Sequence, residues 1–145
     1  MIERLMIYLR YEEQLLQELV DIAKEQQRAL VTLNLGDLDD ISQRQEELLS
    51  NLKRAEDARI KFMMEWLNIT RTSAAKMTMT QILNFSDSEN YSVLALMQDS
   101  MNSLTNQLFN LNLSNRILSN RAKHSVTELI SVLTNGTNNV CNVKV

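Results

Sequence analysis

Apolar residues recur at alternating steps of three and four from the first turn of the chain. The first row is Ile2, Leu5, Leu9, Leu16, Leu19, Ala23, Leu30 and Leu33, interrupted by Glu12 and Gln26. A period near 3.5 sustained over more than four heptads predicts a long helix with a coiled-coil-like seam. A second row follows: Leu38, Ile41, Leu48, Leu52, Ala55, Phe62, Trp66 and Ile69, with polar Gln45 and Arg59 at two seam positions. Between the rows stands Asn34-Leu35-Gly36-Asp37. Gly36 is expected to close the first helix in a left-handed conformation, and Asp37, Asp39 or Asp40 to cap the second. Helices over residues 2–33 and 38–70, joined by so short a turn, make an antiparallel hairpin.

The periodicity fades between Thr70 and Glu89. A short helix is expected over 78–84, packed on the hairpin, and then a loop in which Ser86 or Asp87 is a candidate N-cap. A third long helix is expected over 90–135. Its row is Leu94, Met97, Met101, Leu104, Leu108, Leu111, Asn115, Leu118, Ala122, Ser125, Leu129 and Val132, with Gly136 at its end. The fold class expected is therefore all-α: a long antiparallel hairpin, a short helix and a third long helix in an elongated bundle. Residues 1–136 form one domain on this reading, and the polar stretch 137–145 is expected to be a disordered tail.

Composition sharpens this picture. The 145 residues contain no proline and two glycines, so little interrupts long helices. The net charge of -3 lacks the basic excess of a nucleic-acid binder. No stretch approaches the roughly 20 apolar residues of a membrane span, and amphipathic residues with Glu3 at the start do not read as a signal peptide. With Cys141 as the one cysteine, no internal disulfide is available, which fits a reducing cytoplasm. His124 is the one histidine, and no Cys, His or carboxylate cluster has zinc or di-iron spacing. Phosphate loops, dinucleotide fingerprints and nucleophile elbows are missing as well. No enzyme activity, cofactor or metal is expected.

Charge is unevenly placed. Residues 1–72 carry 14 acids and 10 bases, whereas residues 73–145 carry 4 acids and 5 bases. The third long helix therefore has a flank of Ser, Asn, Thr and Gln, and that flank is either a plain solvated face or an interface depleted of charge. Ile117, Val126, Ile130 and Leu133 lie beside its main row and widen the apolar stripe. Exposed apolar area is unfavourable by about 25 cal/mol per Å², so a partner subunit, a client chain or the short helix is expected to cover it. Asn115 on the seam either fixes register, as polar seam residues do in coiled coils, or meets a client. The eight methionines either fill core gaps or form an adaptable surface.

Two stretches resemble the FlgN family of flagellar export chaperones. One runs through Glu25-Gln26-Gln27-Arg28-Ala29-Leu30, Gly36-Asp37, Ile41, Glu46-Glu47-Leu48-Leu49, Leu52 and Arg59. The other is Asn112-x-x-Asn115-x-x-Leu118 followed by Leu129-Ile130 and Val132-Leu133. The resemblance implies a cytoplasmic helper of type III export. Such a protein binds C-terminal helical segments of hook-associated (hook–filament junction) proteins, keeps them unassembled and delivers them to the export gate and ATPase components. It places the client surface on the third long helix. Combined with the widened stripe, it gives Leu108, Leu111, Leu118, Ala122, Val126, Leu129, Ile130 and Leu133 as apolar anchors and Asn112 and Asn115 as polar contacts. Family members can carry a tyrosine in the C-terminal segment used at the gate, whereas the tyrosines here are Tyr8, Tyr11 and Tyr91. The competing readings are a homodimeric coiled-coil spacer and a helical secretion chaperone of another system.

Overall fold

The computed structural model describes residues 1–136, of which 90% are helical. The elements are α1 (Ile2–Val31), α2 (Leu35–Leu67), α3 (Arg71–Lys76), α4 (Met79–Leu83) and α5 (Ser88–Gly136). No strand occurs among the described residues. The expected tail 137–145, with Cys141, lies outside them.

α1 and α2 form the antiparallel hairpin. Its turn differs from the sequence expectation. Leu33 takes the left-handed conformation (φ 54°), and Gly36 lies inside the first turn of α2 without a positive φ. The cap is Asn34, whose side chain accepts from the Asp37 amide. Asn is as good a cap as Asp and sits one turn earlier, so α2 starts three residues before the predicted position.

The four polar interruptions of the two seams meet across the hairpin. Arg59 donates to Glu12 at 2.6 Å, and Gln45 Nε2 donates to Gln26 Oε1 at 2.9 Å. Each interruption in one helix is thus answered by a complementary residue in the other, which fixes the register of the arms. Apolar layers lie on either side. Near the open end Ile2, Leu5, Leu9, Ile60, Phe62 and Met63 form a core with Ile82, Leu83, Leu94 and Met97, while near the turn Ile22, Ala29 and Ile41 form a smaller one.

α3 was not anticipated, although its start is written plainly: Thr70 caps it by accepting from the Ser73 amide. At α4, Thr78 and Gln81 form a reciprocal capping box. Asp87 caps α5, its Oδ1 accepting from the Asn90 amide at 2.8 Å. Met63 and Met97 are buried, and Met6, Met64, Met77 and Met79 pack around the same open-end core. These methionines fill gaps where short helices meet long ones.

α1 is the central element. α2 and α5 both pack on it, and their backbones stay apart from each other. This explains why its buried set, which includes Leu15, Val20, Ile22 and Ala29, is wider than one seam. α5 runs parallel to α1. Ser100 donates to Glu13, and Gln27 donates to Ser114, and the two contacts lie the same distance apart along each helix.

Candidate functional site

The parallel register decides where α5 loses its support. Leu94, Met97, Leu104 and Asn115 are buried, but from Arg116 to Asn135 no residue of α5 is. α1 ends at Val31, level with Leu118 in this register, and Ala122 and Val126 lie beside the hairpin turn, where they share a pocket with Leu30 and Leu33. The rest of α5, from about Glu128 to Gly136, extends past the hairpin turn by about 12 Å at 1.5 Å per residue.

The ten sequence-selected residues divide at this point. Leu108, Leu111, Leu118 and Ala122 are half-buried along the supported part, and Asn112 is exposed there. Val126 (50% exposed) lies beside the hairpin turn, and Leu129 (59%), Ile130 (40%) and Leu133 (53%) stand on the overhang. Spaced at three and four residues, they share one face. The short helix does not cover this stripe: α4 packs at the opposite end of α5, around Ile82 and Leu83.

Asn115 stands apart from the rest of the set. It is 3% exposed, and its amide turns inward. Nδ2 donates to the Ala23 carbonyl at 2.9 Å and to Gln26 Oε1 at 3.2 Å. Since Gln26 Oε1 also accepts from Gln45, one side-chain oxygen ties α1, α2 and α5 together. Of the two readings of Asn115, the geometry favours register fixing. Its Oδ1 is buried and makes no hydrogen bond in the structure.

Electrostatically the site differs from the hairpin. α5 carries no charged residue from Ser100 to Asn115, and beyond that Arg116, Arg121 and Lys123 outnumber Glu128. His124 and Glu128 face each other at 3.1 Å on the solvent side of the overhang. On the hairpin, Glu25 meets Arg44 across the two helices at 2.7 Å. Among the described residues no group of three or more Cys, His, Asp or Glu is placed to hold a metal ion, and no helix is long and apolar enough to cross a membrane.

The arrangement is therefore a rigid hairpin that braces a long helix and presents its distal apolar face. Such geometry suits the capture of another helix. Comparison with curated proteins and with solved structures gives no match. The FlgN protein family matches the chain over residues 1–142. The chain belongs to the FlgN family, the flagellar export chaperones.

Proposed function

We propose that the distal part of α5 binds the C-terminal helical segment of a hook–filament junction protein, holds it unassembled in the cytoplasm and hands it to the export gate. The observation that supports this most is the face of Val126, Leu129 and Ile130, which is 40–59% exposed where the helix leaves its own bundle. A client segment that assembles when free has a matching apolar stripe, and pairing the two stripes removes both from water. Leu133 extends the same face, with Leu118 and Ala122 at its inner end. Asn112 is the polar contact on this reading, and Asn115 is structural. No chemical step is needed, because release follows when the gate competes for the client.

The test is binding of a purified junction-protein C-terminal segment by fluorescence anisotropy. Leu129→Asp with Leu133→Asp should abolish it, since an unpaired carboxylate would be buried, while circular dichroism stays that of the native chain. Glu46→Ala, on the charged hairpin, should change binding by less than about 0.5 kcal/mol. Normal binding by the double variant, or loss of helix throughout, would refute the reading.

A further inference from the structure

Because α2 and α5 lie against α1 with their backbones apart, an open trough runs between them around the level of Leu19 and Gln26. Its floor is Leu19 and Gln26 of α1, and its walls include Leu49 of α2 and Leu108 and Asn112 of α5, around a volume of about 520 Å³. Ser119 and Lys123 also line a second cavity, of about 590 Å³, at the hairpin turn, where Leu33, Leu35, Leu38 and Val126 make the lining largely apolar. The two cavities therefore adjoin at Ser119 and Lys123, as an open channel spanning Leu108 to Thr127 of α5. That span is about 30 Å, the length of a helix of about 20 residues.

The α2 wall is only partly used by the hairpin: Leu38 packs on the turn-end core and Gln45 bonds Gln26, but the leucines beside them are open. Leu49 is 54% exposed and Leu35 68%. The residues lining the channel include the cations Arg116 and Lys123 and no acid, in a chain whose net charge is -3. A second copy of the distal α5 would bring Arg116, Arg121 and Lys123 against these cations, with Glu128 as its one carboxylate. Like charge in a closing interface is unfavourable, so charge selects a different occupant.

We propose that this channel seats the bound helix as a fourth helix between α2 and α5, and that it selects a foreign amphipathic helix carrying carboxylates beside its apolar stripe. The inference rests on the chaperone reading above. It adds α2 as a second wall, with Leu49 as an apolar contact and Arg116 and Lys123 as the charge selectors. The overhang then grips the end of the seated helix that emerges past the hairpin turn.

Two synthetic peptides of about 20 residues test this, with the same leucine stripe and flanks of either glutamate or lysine. Fluorescence anisotropy is measured with the full chain. The glutamate peptide should bind at least about tenfold more tightly than the lysine peptide, and Leu49→Glu should weaken it by a similar factor. Arg116→Glu with Lys123→Glu should reverse the preference. All three positions are exposed, so circular dichroism should stay native. Equal binding of the two peptides, no binding of either, or indifference to Leu49→Glu overturns the proposal. So does sedimentation that shows a dimer of the chain dissociated by Leu49→Glu, because the occupant is then a second copy. The junction-protein segment separates this inference from the one it rests on. If that segment binds and Leu49→Glu leaves it unchanged, the channel assignment falls and the chaperone reading stands. If the glutamate peptide occupies the channel and the junction segment does not bind, the reverse holds.

Discussion

Glu12 and Arg59 are the hairpin's most costly residues to bury, with side chains only 8% and 14% exposed. Their 2.6 Å contact offsets desolvation only in part: burial pushes the Glu12 carboxyl above its ordinary value, against the opposing pull of the Arg59 guanidinium. The folded state thus holds the Glu12 proton more tightly than the unfolded chain does. Glu12 contributes most stability below the unfolded value of 4.5, and that contribution declines as pH rises through the higher folded value. Glu12→Ala should cost about 3 kcal/mol at neutral pH in urea denaturation, because Arg59 is left buried without a counter-charge. Glu12→Leu with Arg59→Met should be close to neutral. Relative to that double variant, the wild type should gain stability as pH falls from 7 to 4. A relative loss over that range would show that the ion pair, and not desolvation, dominates at this site. Asn115 belongs to the same class of residue. Its Nδ2 is fully engaged by α1 while its Oδ1 is not, a geometry consistent with a role in setting register more than in adding stability.

At the level of elements, the long helices were legible because each carries a seam of several heptads, and a period held that long is hard to mimic by chance. Even the seam breaks were informative, since Glu12, Gln26, Gln45 and Arg59 all reappear as cross-helix pairs. Turn chemistry was less legible. Gly36 looked like the helix terminator because glycine tolerates positive φ best, yet Leu33 bears that conformation and Asn34 does the capping. An added methyl at Gly36 would meet Asn34 Oδ1 at 3.9 Å, an ordinary contact. Gly36→Ala should therefore stabilise the chain by about 0.5 kcal/mol, through a less flexible unfolded state and better helix propensity. A drop in thermal midpoint would restore the terminator role to Gly36. α3 escaped notice because a helix of six residues has no period to read, only the cap at Thr70. The division of the candidate site was hidden for a different reason. One seam runs the length of α5, and only the parallel packing on the shorter α1 shows where its support ends.

On the scale of the whole molecule, three facts combine: α1 is central, α2 and α5 diverge around it, and α5 is the longest helix, at 49 residues. A helix of that length spans about 70 Å, far more than the diameter of a compact globule of this size. Small-angle scattering should give a radius of gyration well above the roughly 15 Å expected for 145 residues packed as a sphere. Truncation after Lys123 should lower it by removing the overhang, and should leave the thermal midpoint within a few degrees, because none of the described residues from 124 onward is buried. The two measurements bear on function together. A chaperone that receives its client on a protruding helix gains little stability from that helix, since the apolar face is kept for the partner. If truncation instead lowered the midpoint by ten degrees or more, the overhang would be contributing to the chain's own fold. The stripe of Val126, Leu129 and Ile130 would then belong to the bundle, and client binding would have to be sought along the charged hairpin.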